Sequence, residues 1–126
     1  MIVDTLGLPH ALFVSKASMT DRKGAISMIE CQKDSLCSME TFLVDGGYMG
    51  ETFAKEVKNL FPHAKVEVVK RDELHTFQVL PKRWVVERSF GWLEQDRRLW
   101  KNCERKLHTS LEMTVLAFLF LLLKRY

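Results

Sequence analysis

This sequence of 126 residues contains only three cysteines. Their number and spacing exclude two classes of protein. The cysteines are odd in number, their spacing matches no zinc site, and no signal peptide is evident, so disulfide-stapled secreted domains and zinc modules are excluded. We expect a reduced, cytoplasmic setting and three buried thiols. The residues concerned are Cys31, Cys37 and Cys103.

Long hydrophobic runs are also missing. Residues 115–123 form the longest apolar stretch, of nine residues, whereas a membrane span requires roughly 20. The wider segment 111–123 contains Glu112 and Thr114. We therefore predict a buried core helix that begins near Ser110 as its N-cap and has no contact with a membrane. Membrane association through residues 111–123 is the alternative.

The chain shows no internal repeat, no low-complexity segment and no sign of a second domain. Its hydrophobic fraction of 47% and charged fraction of 28% are typical of a globular protein. The four histidines have no metal-ligand spacing, and we expect them on the surface or in packing contacts. They are His10, His63, His75 and His108.

Positive charge is concentrated in one segment. The net charge is only +3, but residues 82–106 carry eight basic and four acidic side chains. Such a segment indicates either a solvated helix face or a surface that follows the phosphates of a nucleic acid.

Hydrophobic periodicity predicts an α/β fold in which an initial hairpin is followed by alternating strands and helices. Residues 70–80 are expected to form a loop, and the strands should share one mixed sheet. The predicted hairpin strands are residues 1–5 and 8–15, and the later strands Thr41–Val44 and 66–69. The predicted helices are Asp21–Cys31 with Asp21 as cap, Glu51–Leu60, 81–104 and the last helix from Ser110.

Two acids stand where metal-binding carboxylates are expected. Asp45 ends an apolar strand and precedes two glycines, although Asp-Gly is also a common turn pair. Glu87 lies on an Arg-rich helix, where an i, i+4 pair with Arg83 is the alternative. Hard oxygen ligands of this kind suit Mg²⁺ or Mn²⁺. Two-metal phosphoryl transfer normally needs more carboxylates, and Asp4 is a third candidate, although a turn role suits it better.

Six segments together resemble one known family. They occur in order over nearly the whole chain and include the Asp45-Gly46-Gly47-Tyr48 turn and the helix around Glu87. The segments are residues 3–9, 17–25, 44–50, 66–71, 77–93 and 97–99. They resemble the C-terminal part of bacterial insertion-sequence DDE transposases, most closely the insertion-sequence-five branch.

The resemblance implies a ribonuclease-H-like catalytic core, Mg²⁺ (or Mn²⁺), and DNA cleavage with strand transfer at transposon ends by an oligomer. Asp45 matches the second catalytic Asp and Glu87 the catalytic Glu. In the family signature a Tyr precedes an Arg by three residues, and a Lys follows the Glu by seven. Here Leu80 replaces the Tyr and Glu94 the Lys. The DNA contacts expected from charge and signature are Arg83, Arg88, Arg97, Arg98 and Lys101.

The same resemblance predicts that residues 1–126 form a single, partial catalytic domain. The family's first catalytic Asp lies on a first core strand upstream of the segment that matches residues 3–9, and Asp4 matches the end of the second strand. We therefore expect the first core strand to be missing and the chain to be inactive alone. It would be a relic, a partner of an upstream-frame polypeptide, or a non-catalytic DNA-binding or interfering partner of an intact transposase.

Overall fold

Four helices and two small sheets make up the computed structural model, which describes residues 1–69, 83–101 and 103–125. The predicted loop 70–80 and the predicted helix start at Pro81 lie outside these residues. The strands are β1 (Ile2–Val3), β2 (Pro9–Ala11), β3 (Thr41–Val44) and β4 (Lys65–Val68). The helices are α1 (Asp21–Cys31), α2 (Glu51–Leu60), α3 (Arg83–Glu94) and α4 (Leu107–Arg125), with a 3₁₀ turn at Gly46–Tyr48.

The first two strands form the predicted hairpin, although both are shorter than expected. Ile2 lies opposite Ala11 in an antiparallel ladder. Between the strands, Asp4 Oδ1 accepts hydrogen bonds from the backbone N–H groups of Leu6 (2.8 Å) and Leu8 (2.9 Å). The turn closes at Gly7, whose φ of 83° suits glycine. Asp4 therefore has the turn role that the sequence favoured.

The β3–α2–β4 unit is a parallel crossover and agrees closely with the prediction. Thr41 pairs with Lys65, and Val44 pairs with Val68. Helix α2 runs between the strands and buries Phe53 and Val57 at the spacing of one helical turn. Each such side chain contributes about 1.5–3 kcal/mol when it is fully removed from water.

One hydrophobic core joins the hairpin, α1 and the crossover unit. Met28 and Ile29 of α1 lie in it, and Leu36, in the turn segment that follows α1, is fully buried. The N-cap of α1 is Thr20, so Asp21 is the first helical residue rather than the cap. The remaining buried members are Ala11, Phe42, Phe53, Val57, Phe61 and Ala64.

The strands form two separate sheets, which corrects the prediction of one mixed sheet. Within the described ranges, the hairpin is one two-stranded sheet and β3–β4 is the other. Ile2 of β1 nevertheless packs against the same core that contains Phe42 of β3. The α/β class is therefore correct, while a continuous sheet is not formed by these strands.

The predicted helix 81–104 is too long, because α3 ends at Glu94. The carboxylate of Asp96 accepts a hydrogen bond from the backbone N–H of Arg98 (2.8 Å), and such local bonds compete with helical ones. The apolar residues of α3 are not all buried, since Phe90 is 51% exposed, and Trp100, beyond the helix end, is 74% exposed. Among the α3 side chains that the structure describes, those of Val85 and Ser89 are buried.

Helix α4 begins at Leu107, one turn before the predicted start, so Ser110 lies inside the helix rather than at its cap. The prediction of a buried core helix is wrong for most of its length, since Phe120 is 65% and Leu123 80% exposed. Residues Leu107–Lys124 have a mean hydropathy of 1.5, and 11% of them are buried. Among the described residues this is the one helix long and apolar enough to cross a membrane.

The three cysteines and the three histidines that the structure describes lie outside the core. All three cysteines are exposed and free, so the prediction of buried thiols is wrong. His10, His63 and His108 are exposed, as predicted, and His108 lies 2.9 Å from Glu112. His75 lies outside the described residues.

Candidate functional site

Asp45 directly follows β3 and caps the turn after it. Its Oδ1 accepts a hydrogen bond from the N–H of Gly47 at 2.9 Å. Asp45 is exposed to solvent. The turn interpretation of the Asp-Gly pair is therefore confirmed. Its placement at the carboxyl end of a parallel strand also leaves the carboxylate at a sheet edge, where ligands of α/β proteins commonly bind. Metal binding by Asp45 stays a prediction.

Arg22 of α1 holds the Asp45 turn in place. Its Nε donates to the carbonyl of Gly47 and its Nη2 donates to the carbonyl of Met49, both at 2.9 Å. Hydrogen bonds from a charged donor are stronger than neutral ones. Sequence reasoning missed this residue, although it lies within segment 17–25, which contributes to the family resemblance.

Tyr48 connects the same turn to the core. Its ring centre lies 5.1 Å from that of Phe53, so Tyr48 packs against a buried residue of α2. Burial raises the pKa of Tyr48, and the carboxylates of Asp21 and Asp45 raise it further. The carboxylates of Asp21 and Asp45 therefore act on the phenol of Tyr48, while the Arg22 guanidinium contacts the carbonyls of the same turn.

Glu87 lies on α3 next to the residues that fasten this helix to the hairpin. Ser89 Oγ donates to the carbonyl of Gly7 at 2.7 Å and also contacts the carbonyl of Val85 at 3.0 Å. Arg88 Nη2 donates to the carbonyl of Leu6 at 2.6 Å. The helix is thus anchored at two successive positions, and Glu87 itself is exposed beside them.

Arg88 makes several contacts within the protein, in addition to its predicted contact with DNA. Its guanidinium carbon lies 4.5 Å from the ring centre of Trp84 and 4.9 Å from that of Trp92. Cation–π contacts of this kind contribute about 0.5–2 kcal/mol each. Together with the bond to Leu6, they give Arg88 a packing role that the sequence did not indicate, and its contact with DNA stays a prediction.

The described residues do not assemble a set of three metal ligands. Helix α3 packs mainly on β1 and α4, whereas β3 packs on β4. No group of three or more His, Cys, Asp or Glu side chains in the described ranges is arranged to hold a metal ion. Asp4, the third candidate, uses one carboxylate oxygen in its turn, and the other lies 3.7 Å from His10.

The predicted DNA-contacting residues after α3 lie on a turn-rich segment rather than on a helix. Arg97 and Lys101 are exposed, and Lys101 Nζ lies 5.4 Å from the ring centre of Trp100. Arg98 forms an ion pair with Glu104. Arg83 is the first residue of α3.

A family model described as the transposase DDE domain matches residues 1–123. Neither the comparison with curated proteins nor that with solved structures gave a match.

Proposed function

Since the chain belongs to the transposase DDE domain family, we propose that it binds DNA and acts in the cleavage and strand transfer of transposition at the ends of a bacterial insertion sequence. The observation that carries the proposal is the match over residues 1–123. Two features of the molecule agree with it: an exposed acid at the end of β3 and an exposed basic segment after α3. The ribonuclease-H-like arrangement is part of the same proposal.

Transposase domains of this family generally use divalent metal ions. Asp45 and Glu87 offer the hard oxygen donors that Mg²⁺ and Mn²⁺ prefer, so the type of donor fits. The number of donors is lower than two-metal chemistry normally needs, since the described residues contain no group of three or more His, Cys, Asp or Glu side chains that could hold a metal ion. We therefore propose that the chain alone binds DNA without cleaving it. A partner that contributes a further carboxylate, either an upstream-frame polypeptide or an intact transposase, would complete the set in an oligomer.

Nicking of supercoiled plasmid DNA in Mg²⁺ or Mn²⁺ tests the lack of activity. We expect the purified chain to leave the plasmid intact. Nicking that disappears in Asp45→Ala would overturn the proposal, because it would show a complete site. Calorimetric titration with Mn²⁺, with Glu87→Ala as comparison, then reports whether the two acids bind metal without a partner.

DNA binding is proposed to rest on Arg97 and Lys101. Each phosphate neutralised on a duplex contributes about −0.9 to the slope of log affinity against log salt. Replacing both residues with alanine should therefore weaken binding of a fluorescein-labelled duplex and reduce the slope by about 1.8. Lys33→Ala with Lys58→Ala removes the same charge from exposed positions elsewhere and should leave the slope nearly unchanged. Wild-type binding without salt dependence would contradict the proposal.

The exposed apolar surface of α4 favours a second candidate function, association with a membrane. Its 18-residue window Leu107–Lys124 has the required hydropathy. Flotation of the chain with phospholipid vesicles would support this function, whereas a chain that stays at the bottom of the gradient and binds DNA would exclude it.

A further inference from the structure

Helix α4 has one buried face and one exposed apolar face. Phe118 and Ser110 are buried, and they mark the face that packs on the rest of the protein. At about 100° per residue, four apolar side chains lie about 100–160° around the helix axis from Phe118. These four, which we call the α4 stripe, are 48–80% exposed and comprise Leu116, Leu119, Phe120 and Leu123.

The spacing of the α4 stripe is that of a helix–helix interface. Leu116, Leu119 and Leu123 are separated by three and then four residues, the alternation with which one helix packs along another. Single exposed apolar side chains are common on proteins, whereas a continuous apolar patch marks an interaction site. The stripe therefore indicates a partner helix.

Opposite charges at the two ends of the stripe indicate which helix this partner is. Glu112 lies one turn before Leu116, and Lys124 directly follows Leu123. Both are exposed, and they are displaced along the axis by about 18 Å. In an antiparallel pair of identical α4 helices, Glu112 of each copy lies near Lys124 of the other copy. A parallel pair would instead place like charges together at both ends, and its helix dipoles would also repel.

The position of Glu112 favours a second copy over a membrane. Glu112 precedes Leu116 by four residues and therefore shares the face of the stripe. Insertion of this face into lipid would bury its carboxylate, which is costly, although His108 lies 2.9 Å from it. In a pair of helices the carboxylate stays at the open end of the contact, where Lys124 of the other copy meets it.

We propose that two copies of this chain associate through antiparallel packing of their α4 helices, with the α4 stripe at the centre and a Glu112–Lys124 ion pair at each end. Such a two-fold contact covers the same surface on both copies and leaves none of it for further association. Contacts between two short helix faces belong to the small interfaces, below about 1,200 Å². We therefore expect a reversible dimer with a Kd on the order of 10 μM. The inference does not depend on DNA binding.

Sedimentation velocity at protein concentrations below and above this Kd tests the dimer. Wild type should change from monomer to dimer as its concentration rises. Leu119→Glu places two like charges near the two-fold axis and should weaken association at least about 100-fold. Leu107→Glu is the matched control, because Leu107 is an exposed apolar residue of the same helix on the side opposite Leu116. It should stay within about twofold of wild type.

Charge reversal tests the antiparallel orientation. Lys124→Glu makes both end contacts repulsive and should weaken the dimer at least about fourfold. Adding Glu112→Lys to this variant should restore association, because the opposite charges face each other again. If the double variant stays as weak as Lys124→Glu, the antiparallel arrangement is wrong.

Circular dichroism confirms that each variant is folded, and Leu119→Ala, which removes apolar surface without adding charge, should also weaken the dimer measurably. Wild type that stays monomeric throughout, or a dimer that Leu119→Glu leaves intact, would overturn the proposal. A monomer that floats with phospholipid vesicles would also overturn it and would assign the stripe to a membrane. Since duplex binding by the Arg97 and Lys101 variants is measured separately, either result leaves the proposed DNA binding to its own test.

Discussion

Replacement of Gly7 by alanine should strongly destabilise the protein, because Gly7 lies where the hairpin turn meets α3. Its φ of 83° is a conformation that side chains rarely adopt. A Cβ atom there would lie 2.9 Å from Ser89 Oγ, 3.1 Å from Arg88 Nη2 and 3.3 Å from the Trp92 ring. The substitution therefore strains the backbone and also pushes against the two residues that anchor α3.

The magnitude follows from these two costs. The left-handed conformation costs an alanine about 1–2 kcal/mol, and overpacking adds about 1–3 kcal/mol. The free energy of unfolding should therefore fall by about 2–5 kcal/mol. A chain of this length has a total of about 6–19 kcal/mol at about 0.05–0.15 kcal/mol per residue, so the loss is a large fraction of the stability.

Urea unfolding followed by tryptophan fluorescence measures this directly, since Trp84 and Trp92 flank the contact. Gly46→Ala is the matched control, because a Cβ at Gly46 meets nothing within 4 Å. We expect the control to stay within about 0.5 kcal/mol of wild type, as surface substitutions usually do. Equal stabilities for Gly7→Ala and Gly46→Ala would refute the proposed contact between the hairpin and α3.

Two further predictions concern α3 and the Asp45 turn. Gly91→Ala should raise the free energy of unfolding by about 0.5–1 kcal/mol in the same titration, because the new Cβ meets nothing within 4 Å; a loss of stability would contradict this. The raised pKa of Tyr48 means that its contribution to stability is complete below the unfolded value of 10.0 and is lost as pH rises through the folded pKa. Asp45→Asn should lower the pKa of Tyr48 towards 10.0 by removing one cause of the shift. Absorbance titration of a Tyr126→Phe background isolates Tyr48, and an unchanged curve would show that the Asp45 charge does not reach the phenol.

Local signals were sufficient for the hairpin, β3 and α2. The helix Glu51–Leu60 was predicted correctly, since its apolar residues Phe53 and Val57 recur at helical spacing and both lie in a core built from neighbouring segments. The same reasoning failed after Glu94, where the Asp96 carboxylate starts a turn within an otherwise helical pattern. It also failed for α4, because an apolar composition predicts burial only if another element covers the helix.

The candidate site was predicted at the level of position but not of contacts. The strand pattern placed Asp45 correctly at the end of β3. It did not identify Arg22, which reaches the Asp45 turn from 25 residues away, or the packing of Arg88, whose partner Leu6 is 82 residues distant. Hydrogen bonds between residues so far apart produce no periodic pattern in a single sequence, so they cannot be predicted from it.

The bond between Ser89 and Gly7 spans 82 residues, and this separation has a consequence for the order of folding. The β3–α2–β4 unit closes within 28 residues, from Thr41 to Val68. By loop-closure entropy, the longer closure costs about 1 kcal/mol more, from (3/2)RT ln of the length ratio. During synthesis, the crossover unit is complete before α3 has left the ribosome. The hairpin is synthesised first, but its partners Arg88 and Ser89 are synthesised much later. We therefore expect the docking of the hairpin on α3 to be a late step in folding.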